Sequence, residues 1–267
     1  MALGELVGLI PAAGRARRLG AQPCSKEVLP IGFRSTPNGP VRRVACDCLL
    51  ELLRVAGAAR AFVVLREDKQ DVARYLGAGE RCGVPIEYVS IAESASLPES
   101  LDRAYSLVRG ARVALGFPDV QVEPANALAR VAAHQAESGA DLVLGLFPAE
   151  RPQSTDMVEL DAGGRVLRVE VRPRATSLRL CWVLAVWGPA FTAHLHDFVA
   201  EALRCRAAGT AGEGELQIGA VVASAVARNL DVRGVEIEAG RFHDIGTPED
   251  LAAIRGGGDL APPPSAP

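Results

Sequence analysis

The sequence predicts an α/β fold with a mostly parallel central sheet and an added β-hairpin, and three observations carry that prediction. Short apolar runs alternate with stretches of helical periodicity from Leu6 to Phe147, the pattern of repeated βαβ units. After Phe147 the alternation stops, and Asp161-Ala162-Gly163-Gly164 separates two short apolar segments, a hairpin signal with glycine available for positive φ. No Pro/Gly/Ser-rich linker interrupts the chain before residue 256, so residues 1–255 read as a single domain.

Taken in order, Leu6–Pro11 is a buried strand bounded by a loop signal. Residues 32–40 are rich in Gly, Pro, Ser, Thr and Asn and read as a loop. Val41–Ala56 follows as a helix closed by Gly57. Ala61–Leu65, Pro85–Ile91, Val113–Phe117 and Asp141–Phe147 are strands, interleaved with helices Asp68–Leu76, Pro98–Val108 and Pro124–Glu137. Right-handed crossovers then put helices on both faces of the sheet. The hairpin pairs Met157–Leu160 with Val166–Val171, and Leu178–Trp187 is a long, mostly apolar strand. Helices Ala190–Arg206 and Leu216–Asn229 flank a glycine-rich turn, Val235–Ile237 is a short strand, and Thr247 caps a last helix, Pro248–Arg255. Residues 256–267, GGGDLAPPPSAP, cannot pack a core and read as a disordered Gly/Pro-rich tail.

Composition narrows the partners. A net charge of −3 gives no reason to expect nucleic acid or an anionic membrane, so any phosphate binding must be local. Val7–Ala13 is too short for a membrane span and no basic segment precedes it, which makes cytoplasmic the expected location. The six cysteines show neither CxxC nor zinc-type spacing and fit reduced thiols. Among 29 basic residues only Lys26 and Lys69 are lysines. A chain so committed to arginine nevertheless puts a lysine, a compact ammonium on a flexible stem, inside its glycine/arginine loop.

That loop lies in Val7–Pro30, VGLIPAAGRARRLGAQPCSKEVLP. The first strand ends in a small-residue turn, Ala12, Ala13 and Gly14, followed by Arg15, Arg17, Arg18 and Lys26. Gly14–Gly20 is not a P-loop, because no Lys-Ser/Thr follows its second glycine, and Ala16 breaks the dinucleotide fingerprint. Small residues at a strand's carboxyl end still let a nucleotide approach the backbone, whose N–H groups can bind phosphate. The plainer reading of the same letters is an arginine-rich surface loop.

Here the chain resembles the nucleotidyltransferases that make nucleoside diphosphate sugars, whose loop reads roughly GG-x-G-x-R-L…PK-x-LLP. Ala13–Leu19 and Ser25–Pro30 occupy that pattern. The likeness extends to glucose-1-phosphate thymidylyltransferases, and the start IPAAG is equally similar to the cytidylyltransferases of isoprenoid synthesis. The shared fold implies a Rossmann-like three-layer domain. Two further stretches fit: Val113–Asp119, VALGFPD, resembles the family's LxGD segment, and Gly240–Leu251, GRFHDIGTPEDL, resembles its W-x-D-x-GTP-x-D-L segment.

By the resemblance, Arg18 and Lys26 are catalytic, holding the triphosphate and stabilising charge at the reacting α-phosphate. Ala12, Ala13, Gly14 and Arg15 bind nucleotide, and Asp119 and Asp244 hold Mg²⁺, which takes few protein ligands and keeps waters. Ser96–Ser100 lies where the family reads the base, which puts Glu99 near it. A carboxylate can only accept hydrogen bonds, so it suits a base edge offering N–H. Glu99 reads equally as an ordinary acidic residue in a helix's first turn. Val171-Arg172-Pro173 stands in the place of Glu-Lys-Pro, so Arg172 replaces the lysine that contacts the sugar phosphate, and Val171, or Glu170 one register off, holds the glutamate's place. His243, beside Asp244, reads as a packing residue rather than a site residue.

The implied reaction is Mg²⁺-dependent transfer of a thymidylyl, uridylyl or cytidylyl group from a nucleoside triphosphate to a sugar 1-phosphate. One rival is a cytidylyltransferase for a non-sugar phosphate. Another is a catalytically weak nucleotide-sugar-binding or regulatory homologue, supported by the departures at Ala16, Ser25, Val171 and Glu99. Base, sugar and homo-oligomeric state stay open.

Overall fold

The computed structural model describes residues 4–36, 39–210 and 214–256. In chain order the elements are β1 (Leu6–Ala12), β2 (Pro30–Thr36), β3 (Gly39–Val44), α1 (Asp47–Val55), β4 (Arg60–Arg66), α2 (Gln70–Leu76) and β5 (Ile86–Ile91). Next come α3 (Leu97–Asp102), α4 (Tyr105–Val108), β6 (Arg112–Leu115), β7 (Val120–Glu123), α5 (Ala127–Ser138) and β8 (Leu142–Pro148). The chain continues through β9 (Met157–Leu160), β10 (Val166–Glu170), β11 (Leu180–Trp187), α6 (Pro189–Ala207), α7 (Ile218–Ala227), β12 (Val232–Glu236), β13 (Arg241–Asp244) and α8 (Pro248–Gly256). Short 3₁₀ turns at Arg17–Leu19 and Lys26–Val28 interrupt the segment between β1 and β2.

The main sheet has nine strands. β5, β4, β1 and β6 are parallel neighbours, β11 runs against both β6 and β8, and β12 lies parallel to β8. The sheet is therefore mostly parallel, with β11 as the reversed strand in its middle. β1 is buried from Leu6 through Ile10, which explains its unbroken apolar run: helices cover both of its faces. Its side chains still alternate. Leu6 and Ile10 join the core under α1, α2 and α5, while Val7 and Leu9 join the core under α3, α4, α6 and α7. Gly8 lies on the first face, where a Cβ would meet Leu53 of α1 at 2.9 Å.

The predicted order of elements holds, with local corrections. The stretch predicted as a loop over 32–40 carries strands β2 and β3, paired antiparallel, with residues 37 and 38 outside the described residues. Val41–Val44 is thus a strand, and the helix begins only at Asp47, whose Oδ2 accepts from the Val44 N–H at 2.9 Å. Proline and glycine density marked the bends of this hairpin and hid its pairing. The helix predicted over 98–108 is two, α3 and α4, separated at Arg103 and Ala104. β7 and β13, neither predicted, pair antiparallel as a separate ladder. The tail reading over 256–267 concerns residues that, past Gly256, lie outside the described residues, as does part of the glycine-rich turn before α7.

A small third core holds the charged turns in place. Leu19, Leu29, Ile31, Ala45, Ile245 and Leu251 are buried together, apart from the two large cores. They bring the arginine turn, the lysine turn and the start of α8 into one packed unit.

Candidate active site

Each charged residue of that unit is carried by a buried apolar neighbour. Leu19 follows Arg18, Leu29 closes the Lys26 turn, and Ile245 follows Asp244. Burying such a side chain stabilises by roughly 1.5–3 kcal/mol, so the apolar residues anchor the segments and leave the charged ones at the rim. The two aspartates meet because β7 and β13 pair with Asp244 opposite Val120, and the Ile245 N–H continues the ladder to the Asp119 carbonyl at 2.9 Å. Residues far apart in sequence thus share one end of one ladder.

Lys26 Nζ donates to Asp119 Oδ2 at 2.5 Å, with side chains only 19% and 15% exposed. Burial alone lowers the lysine's pKa, but the neighbouring Asp119 carboxylate, with Glu27 and Asp244, turns the net shift upward. The ammonium is a full charge at neutral pH. Asp244 is pushed up to about 6, first by burial and then by the Asp119 carboxylate, against the pull of Lys26 and Arg18. Arg18 reaches the same spot: a Cβ on Gly246 would meet Asp244 Oδ2 at 3.0 Å and Arg18 Nη2 at 3.2 Å. Glycine at 246 lets both charged groups close over the chain.

Ala12 and Ala13 are buried at the end of β1, and Gly14 is exposed with open space where a side chain would stand. Among the described residues none accepts a hydrogen bond from the Gly14 or Arg15 N–H. Arg15 forms an ion pair with Glu93 across the loop after β5. Ala16 adopts φ 50° and ψ 34°, the left-handed conformation that glycine accepts without penalty.

The β9–β10 hairpin stands on the same end of the sheet. β11 pairs with β6 through Ala185–Trp187 and with β9 through Leu180 and Cys181, so the hairpin continues the sheet past the end of β6, from which the chain runs on to Asp119. Glu170 ends β10, and its Oε1 takes a 2.8 Å ion pair from Arg168. Arg172 is exposed with φ 40°. Burial pushes the nearby Asp156 carboxyl up in pKa, against the pull of the Arg172 guanidinium, and its Oδ1 is buried without a hydrogen-bond partner among the described residues. Ser96 caps the start of α3: its Oγ accepts from the Glu99 N–H at 3.3 Å and donates to the Glu99 Oε1 at 3.0 Å. The same Oε1 pairs with Arg206 of α6 at 3.1 Å. His243, read as a packing residue, is exposed on β13, because the ladder alternates and turns Phe242 and Asp244 inward instead. A separate cleft of about 700 Å³ beside α1, lined by Arg34, Arg42, Arg43, Arg54 and Arg81, holds none of these residues.

No family model matches the sequence, and a search of curated proteins returns no match. Solved structures do match. A Bacillus anthracis protein described as a glucose-1-phosphate thymidylyltransferase, solved with sucrose, superposes at TM-score 0.78 with 16% identity over 94% of each chain. UDP-glucose pyrophosphorylase with UDP-glucose superposes at TM-score 0.72 with 15% identity, over 95% of this chain and 98% of the other. The chain has the sugar-1-phosphate nucleotidyltransferase fold.

On this nucleotidyltransferase fold the structure brings together Arg18, Lys26, Asp119 and Asp244, and separates them from Glu99, which is tied to α6. The Asp119 carboxylate helps to raise the Asp244 pKa, and no group of three or more His, Cys, Asp or Glu converges as a metal site among the described residues. Two oxygen donors whose charge is incompletely neutralised fit Mg²⁺, which leaves further positions to water and phosphate. Sequence reasoning missed Glu27, Lys69, Asp71 and Asp156. The rarity of lysine singled out Lys69, but nothing local pointed to its partner.

Proposed function

We propose that this protein transfers a nucleotidyl group from a nucleoside triphosphate to a sugar 1-phosphate, releasing pyrophosphate, with Mg²⁺ held by Asp119 and Asp244. The observation that carries the reading is the convergence of Lys26, Arg18, Asp119 and Asp244 at one end of the parallel strands. An oxygen of the sugar phosphate attacks the α-phosphorus in line, a new P–O bond forms, and the bond to the β-phosphate oxygen breaks. The attacking oxygen is already anionic, so no general base is required.

What remains is positioning and charge neutralisation. Lys26 keeps its proton and offers a fixed positive charge beside Asp119. Arg18 adds a second cation from the facing turn, and both stabilise charge that grows on the transferring phosphate. The open Gly14–Arg15 backbone presents N–H groups, without acceptors among the described residues, to phosphate oxygens. The bound Mg²⁺ would supply Lewis-acid neutralisation of the phosphate oxygens. Arg172, beyond the end of the hairpin and near the Asp156 carboxyl, is the cation for the acceptor phosphate.

One observation favours a second reading of the acceptor. Glu170 is engaged by Arg168, and Val171 offers no polar group, so hydroxyl recognition on this side is sparse. That suits a smaller, non-sugar phosphate acceptor with the same chemistry. A matrix of nucleoside triphosphates against sugar 1-phosphates and small phosphorylated alcohols, with Mg²⁺ and a pyrophosphate readout, decides between them. Turnover confined to sugar 1-phosphates supports the first reading and turnover confined to small phosphates the second. Nucleotide binding without pyrophosphate release across the whole matrix overturns both and leaves a binding protein.

A further inference from the structure

The segment carrying Lys26 is held from both sides by the start of α2. On one side the Ser25 N–H and Oγ both donate to the Asp71 carboxylate, at 2.6 and 2.7 Å. On the other, Lys69 Nζ donates to both oxygens of Glu27 at 2.7 and 2.9 Å, with side chains 7% and 2% exposed. Ser25 and Glu27 are the residues immediately before and after Lys26, and Lys69 and Asp71 lie two apart where α2 begins. The Glu27 carbonyl also accepts from the Cys46 N–H at 2.9 Å, which fixes the turn's backbone on a third side.

We propose that Lys69 and Asp71 are positioning residues that clamp the Lys26 turn, so that its ammonium meets the reacting phosphate at a fixed place. The inference rests on the role of Lys26 in the proposed nucleotidyl transfer.

Stability alone does not account for the Glu27–Lys69 pair. Burial raises the Glu27 pKa in spite of the lysine beside it, so the pair does not recover its desolvation in full. Replacing such a pair with apolar residues is often neutral or stabilising. What two leucines cannot supply is direction. A carboxylate bonded through both oxygens to one ammonium fixes the rotation of the turn, whereas packed methyl groups tolerate several. The chain, which otherwise uses arginine as its base, places its only two lysines in this unit, one at the phosphate side and one beneath it. The compact ammonium suits the buried site, where a planar guanidinium would need more room.

The two-lysine composition also makes the test direct. In protein carrying ¹³Cε/¹⁵Nζ-labelled lysine, NMR shows one side-chain signal set for Lys26 and one for Lys69, assigned with Lys26→Arg and Lys69→Arg. The variants are Glu27→Leu/Lys69→Leu, Ser25→Ala, Ser25→Thr and Asp71→Ala. The expected result for the double-leucine variant is a cooperative melt close to wild type, with kcat roughly 10- to 100-fold lower and KM for the nucleotide little changed, as for a misplaced catalytic group. The paired Hε shifts of Lys26 should collapse towards one averaged signal. Asp71→Ala and Ser25→Ala should show the same loss in smaller degree, and Ser25→Thr, which keeps the hydroxyl, should restore it.

Wild-type kcat and an unchanged Lys26 signal in a folded double-leucine variant would overturn the clamp. If that variant does not fold, Asp71→Ala and Ser25→Ala decide by the same two readouts. If the wild-type protein releases no pyrophosphate from any substrate, the functional reading fails, while the Lys26 signal in these variants still decides whether the turn is clamped.

Discussion

The two halves of the candidate site are built on different terms. On the phosphate side, Arg18, Lys26, Asp119 and Asp244 come from three distant segments, and a dedicated apolar cluster packs Leu19, Leu29 and Ile245 beneath them. On the side proposed for the acceptor, Arg172 stands exposed on left-handed backbone, Glu170 is occupied by Arg168, and a half-buried carboxyl, Asp156, lies nearby. The first half keeps most of the motif pattern of the nucleotidyltransferases that the sequence resembles, and the second departs from it. Charge placement for phosphoryl transfer tolerates little error, whereas the choice of acceptor can be re-made by a few side chains on a hairpin.

Substitutions on the two sides should therefore fail differently. Asp119→Asn removes one of two proposed metal oxygens and the partner of Lys26. It should lower kcat by about 10²-fold or more, by analogy with losing one preorganised group, and weaken Mn²⁺ binding in calorimetry. Ile245→Ala empties part of the small core under the same residues and should cost about 2–5 kcal/mol of unfolding free energy, read from denaturant melts.

Asp244→Asn should separate function from stability. The folded protein raises this carboxyl from 3.8 to about 6 in the absence of metal, so the native state holds the proton more tightly than the unfolded chain. The stabilisation from that proton is complete below about pH 4 and is lost as pH rises through about 6. At pH 8, without metal, Asn should therefore stabilise by on the order of 1–2 kcal/mol, an advantage that shrinks below pH 6, while turnover is lost. Thermal melts at pH 5 and pH 8 check the sign. On the acceptor side, Arg172→Ala should raise KM for the acceptor about 10-fold, a loss of about 1.4 kcal/mol of binding, and leave kcat nearly unchanged. A kcat loss matching that of Asp119→Asn would erase the contrast between the two sides.

Legibility in the sequence divides along the same line. Arg-Leu, Lys-x-x-Leu-Pro and Asp-Ile-Gly-Thr-Pro each put a charged group next to its own anchor, so local letters suffice, and Thr247 and Asp250 do form the predicted cap at α8. The Glu27–Lys69 and Ser25–Asp71 contacts join residues more than 40 positions apart and leave no periodic trace. Glu99 shows the limit most plainly. Both readings of its letter were open, and the structure ties it to the Ser96 N-cap and to α6, contacts that sequence spacing alone could not weigh. Ala16 was legible as a departure from glycine, and its positive φ explains why glycine is the natural residue there. β7 and β13 are four residues each, too short for periodicity to show, yet their pairing is what joins the two aspartates.

The most direct measurement is steady-state pyrophosphate release by Lys26→Ala beside wild type, on the best substrate pair from the nucleotide-by-acceptor matrix, with Mg²⁺ saturating. If Lys26 stabilises the transferring phosphate, kcat should fall by roughly 10²-fold or more with acceptor KM nearly unchanged. Turnover close to wild type in a folded Lys26→Ala protein would contradict that role.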